Sequence, residues 1–119
     1  MPAFDLPWPP SMNHYYAVVR GRKITSKHGR EYHQAVAGAL LQAGTRPFDA
    51  DARLMIEIRA YPPDRRRRDL DNLAKPVLDS LQKAGLFPDD SQVDILTLAR
   101  RAVESPGRVS VSVAPLEVR

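Results

Sequence analysis

The chain has 119 residues, the size of one small domain with a modest core, so we expect a single domain spanning residues 1 to 119. It contains no cysteine, which excludes disulfides, zinc-thiolate sites and thiol nucleophiles and leaves oxygen or imidazole groups as the ligands for any metal ion. The 18 Lys and Arg residues against 14 Asp and Glu residues give a formal charge of +4, which favours polyanionic partners.

The N-terminal segment has none of the features of a targeting signal. Met1 to Trp8 lacks a basic start and a long apolar run, and no stretch of the chain reaches the length that spans a bilayer. We therefore expect a cytoplasmic protein. Within this segment, Phe4 to Trp8 is apolar and is followed by Pro9 and Pro10, which lack amide donors, so it predicts a strand at the edge of a sheet.

A hairpin and a helix are predicted next. Tyr15 to Val19 and Arg22 to Thr25 flank Arg20-Gly21, where glycine tolerates a positive φ, and together they predict a small basic hairpin. Ser26 can cap a helix that ends near Gly44. The apolar residues of this helix recur at three- and four-residue intervals and are Tyr32, Val36, Ala39, Leu40 and Ala43.

The middle of the chain predicts a strand and then a second helix. From Arg53 the pattern changes to strict alternation, which indicates a half-buried strand ended by Pro62-Pro63. Its apolar face consists of Leu54, Ile56, Ile58 and Ala60. The helix that follows ends at Gly85, and its apolar residues are Leu73, Val77, Leu78 and Leu81. Because a proline is harmless only in the first turn, Pro76 leads us to expect that this helix begins no earlier than about Leu73.

Two more strands complete the predicted elements. They are Val93 to Arg100 and Arg108 to Ala114, separated by a turn at Pro106-Gly107. The whole series indicates an α+β fold in which a mixed or antiparallel sheet packs against two main helices.

Acidic residues cluster just before the second helix. Asp69 and Asp71 stand two positions apart in extended or turn-like backbone at the positive end of that helix, which Asp71 or Asn72 would cap. Mg²⁺ usually takes one or two carboxylates together with waters and substrate phosphate oxygens. Asp90, supported by its neighbour Asp89, supplies a third acid. The sequence therefore predicts a site for a hard divalent cation.

To form one site, the chain after the second helix has to bring Asp90 back to Asp69 and Asp71. The helix rises about 17 Å from residue 73 to residue 84, and five extended residues after it span at most about 17 Å. Asp90 can therefore close the site within one chain over a tilted helix, or the site is completed at a subunit boundary. Closure within one chain is the alternative that we favour from the sequence.

Basic residues flank the acidic cluster. Lys75 lies four residues after Asp71, where its ammonium group could stabilise a transition state or orient an attacking water. Candidate phosphate-binding residues are the four consecutive arginines Arg65, Arg66, Arg67 and Arg68, and the hairpin residues Arg20, Arg22 and Lys23. We expect Asp79 on an exposed helix face without a catalytic role. We also expect the histidines either on the surface, which is the alternative we favour, or near bound DNA; they are His14, His28 and His33.

Each of these features has an ordinary structural explanation when it is taken alone. The aspartates could cap a helix or form a polar turn, and the arginines could form a solvated loop. Only the combination of carboxylates, lysine and arginines in one region indicates phosphodiester hydrolysis.

Three blocks of the sequence resemble the RusA family of Holliday junction resolvases. The first is Pro7-Trp8-Pro9-Pro10-Ser11 with Asn13 and Tyr15-Tyr16, the second is PDRRRRDLDNLAKPVLDSL from Pro63, and the third is KAGLFPDDSQV from Lys83. The resemblance implies a homodimeric endonuclease that uses Mg²⁺, with Mn²⁺ as a possible substitute. It implies that this enzyme resolves four-way junctions by paired symmetrical nicks in DNA recombination and repair.

The same resemblance matches the family's essential aspartates to Asp69, Asp71 and Asp90, and its functional lysine to Lys75. Two alternatives remain open at this stage. The protein could bind branched DNA without cutting it, or it could be a nuclease that acts on flaps or forks.

Overall fold

A computed structural model describes residues 3 to 116 of the chain. Its strands are β1 (Ala3–Pro7), β2 (Tyr16–Val19), β3 (Arg22–Thr25), β4 (Arg53–Tyr61), β5 (Val93–Arg100) and β6 (Arg108–Leu116). Its helices are α1 (Met12–Tyr15), α2 (Lys27–Ala43) and α3 (Asp71–Lys83), and a short 3-10 helix (Asp90–Gln92) precedes β5. The predicted α+β class is confirmed.

Four of the strands form one mixed sheet in the order β1-β6-β4-β5. β4 pairs antiparallel with β6 and parallel with β5, while β1 pairs antiparallel with β6. β1 therefore lies at one edge, as its following prolines predicted, and β5 lies at the other. The alternation predicted for β4 is also confirmed, because its buried residues are Leu54, Ile56, Ile58 and Ala60.

The two long helices pack on the apolar face of this sheet. Tyr32, Val36 and Leu40 of α2 belong to the same buried cluster as the apolar residues of β4, and α3 contributes Leu73, Val77 and Leu81 to it. Val109 and Val111 of β6 complete the central part of this core. Among residues 3 to 116, no helix is both long and apolar enough to cross a membrane.

Helix α2 has the bounds that its capping residues predicted. The Ser26 hydroxyl accepts a hydrogen bond from the Gly29 amide at 3.0 Å, and Gly44 ends the helix in the left-handed conformation with φ 68°. Both signals are local in sequence, so they could be recognised without knowledge of the fold.

Helix α3 begins earlier than we expected. Its first residue is Asp71 rather than Leu73, and Leu70 precedes it in right-handed helical conformation without a side-chain cap, so neither Asp71 nor Asn72 is the cap. Pro76 consequently lies inside the helix and is buried. The proline removes one internal hydrogen bond, but its ring packs in the core next to Leu73 and Val77, and this burial offsets the local preference.

The predicted hairpin is formed by β2 and β3, which make a separate two-stranded sheet. Arg20 and Gly21 at its tip both have positive φ, 52° and 74°, as the tight two-residue turns of hairpins require. Tyr15 is not part of the hairpin, contrary to prediction. It ends α1, and its side chain is fully buried.

Candidate active site

The start of α3 carries the first two candidate carboxylates. Asp69 lies in the turn that leads into the helix, where its carbonyl accepts a hydrogen bond from the Asn72 amide, and Asp71 lies in the first helical turn. Both residues are exposed. The positive end of the helix dipole favours negative charge here, so two carboxylates can lie close together at a smaller electrostatic cost than elsewhere on the surface.

A cleft of about 360 Å³ opens beside Asp69. One wall is formed by the segment between β1 and α1, which includes Trp8, and the other by Arg67, Asp69 and Asn72. The wall from Trp8 to Met12 is mainly apolar and the opposite wall is charged. An apolar wall opposite charged groups is suited to a nucleotide, because a base can contact the wall while its phosphate meets the charges.

The four arginines before Asp69 divide into two kinds. Arg68 is held by the protein itself, because its guanidinium forms an ion pair with Asp64 at 2.8 Å and lies 5.6 Å from the centre of the Trp8 ring. Hydrogen bonds from Arg68 and from the Arg66 amide keep the pKa of Asp64 below its usual range. Arg65 and Arg67 are exposed, as is Arg66. The exposed three can reach phosphates, whereas Arg68 fixes the loop that presents them.

The third candidate carboxylate belongs to the 3-10 helix before β5. Asp89 caps this helix by accepting a hydrogen bond from the Ser91 amide, and its own amide donates to the Gln92 side chain, so Asp89 has a structural role. Gln92 is buried and its amide group also donates to the carbonyls of Asp49 and Ala52 at 2.8 and 3.0 Å. These bonds fix Asp90 at the beginning of β5.

Asp90 does not lie next to Asp69 and Asp71 in the fold. The Asp90 amide donates to the side chain of Gln82 at 3.1 Å, and Gln82 is eleven positions after Asp71 in α3, which is about 16 Å along the helix axis. Within residues 3 to 116 no three His, Asp or Glu side chains are grouped so that they could hold one metal ion. The closure within one chain that we favoured from the sequence is therefore not formed in this part of the molecule.

The donors at the start of α3 nevertheless fit a hard cation. Asp69 and Asp71 offer only oxygen atoms, and Mg²⁺ commonly takes one or two carboxylates and completes its shell with water and phosphate oxygens. Zinc fits less well, because it prefers nitrogen and sulfur ligands.

Lys75 was recognised from the sequence, but the hydrogen-bonded group of side chains to which it belongs was not. Its ammonium lies 3.1 Å from one carboxylate oxygen of Asp79, and the other oxygen accepts a 3.1 Å hydrogen bond from the Tyr15 hydroxyl. The same hydroxyl lies 2.7 Å from Nε2 of His33. Asp79 and His33 are thus partly buried network residues, and the predictions of an exposed Asp79 and a surface His33 were wrong. The four-residue spacing from Lys75 to Asp79 was the one local signal available.

The basic residues of the hairpin lie on its exposed surface. Arg20, Arg22 and Lys23 are all exposed, and the Lys23 ammonium lies 4.1 Å from the centre of the Tyr16 ring. The hairpin also leaves apolar side chains uncovered, with Val18 at 75% and Ile24 at 41% exposure. It is a basic surface separate from the four arginines of the loop.

Comparison with known proteins shows that the sequence of this chain is similar to those of DNA-cutting enzymes. The family model described as "Endodeoxyribonuclease RusA" matches residues 7–114. The chain is 40% identical over 116 residues to the crossover junction endodeoxyribonuclease RusA of Escherichia coli (strain K12), covering 96% of this chain and 94% of that protein. It is 40% identical over 115 residues to the crossover junction endodeoxyribonuclease of Enterobacteria phage 82, covering 93% and 92%. The corresponding enzyme of Shigella sonnei (strain Ss046) is 39% identical, with coverage of 96% and 94%.

Proposed function

The chain belongs to the endodeoxyribonuclease RusA family and is a Holliday junction resolvase, and we propose that it cuts four-way DNA junctions by Mg²⁺-dependent hydrolysis in paired symmetrical nicks. The observation that carries the proposed chemistry is the pair of exposed carboxylates, Asp69 and Asp71, at the positive end of α3 beside a cleft and exposed arginines. The relatives come from bacteria and from a phage, and phage DNA is processed inside the bacterial host, so we propose the bacterial cytoplasm as the location of this protein.

The residues that would hold the cation are Asp69, Asp71 and Asp90. Bound Mg²⁺, or Mn²⁺ in its place, supplies positive charge to the phosphate and lowers the pKa of water. The chain's own groups do the remaining work. Lys75 presents an ammonium on the same helix face as Asp71, where it can neutralise negative charge that develops on the phosphate. Arg65 and Arg67 contact the flanking phosphates and orient the strand.

We propose that Asp90 completes this site from the other chain of a homodimer. The distance along α3 separates Asp90 from Asp69 and Asp71 within one chain. β5, which follows Asp90, is a sheet edge and exposes Ile95 at 44% and Leu96 at 38%. An apolar edge strand is suited to pairing with a second copy, and such pairing would place Asp90 of the partner subunit near a subunit boundary. Two sites related by a two-fold axis can cut two opposed strands.

Cutting is tested with labelled four-way junctions, flaps and linear duplex, incubated with Mg²⁺ or with EDTA, and with the nicks mapped on each strand. We expect symmetrical nicks in the junction only when Mg²⁺ is present. Asp71→Asn should abolish cutting but retain junction binding, because it removes a ligand and also relieves repulsion of phosphate. Asp51→Asn is the matched control, since it removes the same charge from an exposed loop before β4. Asymmetric nicks, or cutting in the presence of EDTA, would contradict the proposal. Faster cutting of flaps than of four-way junctions would mean that flaps are the substrate.

The shared site is tested by mixing two inactive variants, Asp71→Asn and Asp90→Asn. In a mixed dimer with shared sites, one site carries both substitutions and the other carries neither, so nicking of one strand should return. If each site lies within one chain, every site in the mixture carries a substitution and no cutting returns. Light scattering on the wild type measures the dimer directly, and a monomer that cuts at full rate would exclude the shared site.

A further inference from the structure

The carboxylate of Asp79 joins the buried part of the protein to Lys75. One of its oxygens pairs with the Lys75 ammonium, and the other accepts the hydrogen bond from Tyr15, each at 3.1 Å. Tyr15 is fully buried and ends α1, while Asp79 has a side-chain exposure of 22%. The carboxylate is therefore oriented on one side by a buried hydroxyl, and its other oxygen holds the ammonium of Lys75.

The carboxylate of Asp79 determines the direction of the hydrogen bonds in this group. A tyrosine hydroxyl has one hydrogen, and Tyr15 donates it to the acceptor-only carboxylate of Asp79. The hydroxyl oxygen can then only accept from Nε2 of His33, so that nitrogen carries the hydrogen. Burial lowers the pKa of His33 and so favours the neutral ring, whose hydrogen then lies on Nε2. The chain from His33 through Tyr15 to Asp79 thus runs in one direction and ends at Lys75.

An ordinary surface ion pair in the same protein shows what is different here. Lys27 and Glu31 have the same four-residue spacing on α2, but their charged atoms are 3.9 Å apart and the two side chains are 81% and 57% exposed. Such a pair leaves both groups free to rotate and contributes little. Asp79 differs because its second oxygen is bound by a buried hydroxyl, which restricts the carboxylate to one orientation.

Lys75 lies near the start of α3, where two of the candidate ligands are found. It shares a helix face with Asp71, one turn away, and the hydrogen bond with Asp79 raises its pKa, with smaller contributions from Tyr16 and Asp90. We propose that Asp79, held by Tyr15 and His33, is a positioning residue that fixes the Lys75 ammonium for the attacked phosphate. This role rests on the nuclease function proposed above.

The test is a double-mutant cycle between Asp79→Asn and Lys75→Met, measured as the single-turnover cutting rate and the junction dissociation constant. Asparagine keeps the shape of the side chain and can still accept the hydrogen bond from Tyr15. We expect Asp79→Asn to lower the cutting rate about tenfold and to leave junction affinity unchanged. In the Lys75→Met background the same substitution should change the rate less than twofold. Glu31→Gln, which removes one acid from the exposed pair on α2, should cut like the wild type.

Two outcomes would overturn this role. If Asp79→Asn cuts as fast as Glu31→Gln, the carboxylate does not act on Lys75. If it slows cutting equally in both backgrounds, its effect is structural. Should Asp79→Asn fail to fold, Tyr15→Phe replaces it in the cycle, because it removes only the hydroxyl that orients the carboxylate, with about a threefold effect expected. If the wild type itself does not cut with Mg²⁺, the proposed function fails first and this inference fails with it.

Discussion

Gly29→Ala should destabilise the protein although alanine is the better helix former. A Cβ at Gly29 would lie 2.7 Å from the carbonyl oxygen of Tyr15 and 2.6 Å from a methyl group of Thr25. The Tyr15 carbonyl belongs to the backbone and also accepts a hydrogen bond from the Ser26 amide at 2.9 Å. It can therefore move away from a new Cβ only if that hydrogen bond is disturbed. Overpacking of this kind costs about 1–3 kcal/mol, and the gain in helix propensity returns about 1 kcal/mol of it.

Gly38→Ala in the same helix is the matched control, because a Cβ there has nothing within 4 Å. It should stabilise the protein by about 1 kcal/mol. Taking about 2 kcal/mol as the overpacking cost leaves a net cost of about 1 kcal/mol for Gly29→Ala, so the two variants should differ by about 2 kcal/mol, or about 8 °C in melting temperature for a chain of this size. Circular dichroism melts and urea titrations measure both. Equal stabilisation by the two alanines would refute the close packing of α2 against Tyr15.

Three further substitutions probe single contacts. Arg20→Asn should raise the urea midpoint, by about 0.5–1 kcal/mol in stability, because asparagine adopts the positive φ of the hairpin tip more readily; an unchanged midpoint would argue against strain at Arg20. Ser26→Ala should lower the free energy of unfolding by about 1 kcal/mol, measured by thermal melts, because the Gly29 amide loses its hydrogen-bond acceptor. An unchanged free energy of unfolding would mean that water replaces the Ser26 hydroxyl as the acceptor. Tyr32→Phe should lower the free energy of unfolding in urea by about 1 kcal/mol, because it removes the 2.8 Å hydrogen bond to the Pro7 carbonyl. An unchanged free energy of unfolding would show that this hydrogen bond makes no net contribution to stability.

Sequence patterns predicted those elements whose signals are local. Ser26 and Gly44 mark the ends of α2, and the alternation after Arg53 predicted the buried face of β4. The start of α3 was misplaced because the rule about proline describes the isolated helix. The burial of Pro76 in the folded protein is a tertiary effect, and it outweighs that rule.

The parts of the candidate site that could not be predicted depend on long-range pairing. Tyr15 meets Asp79 across 64 positions, and no periodicity in the sequence records this contact. The position of Asp90 depends on β5 running parallel beside β4, which carries the start of β5 to the far end of the sheet from Asp69. The aspartates themselves were recognisable from their spacing, whereas their arrangement in space was not.

The buried side-chain amide of Gln92 affects the binding of DNA. Its three hydrogen bonds, to Asp89, Asp49 and Ala52, order the turn that bears Asp90 as soon as the chain folds. The conformational entropy of this turn is thus lost during folding and not when substrate arrives. A turn that is already ordered when the phosphate approaches can favour one geometry of the scissile strand, which would make the turn a determinant of selectivity between junction and duplex.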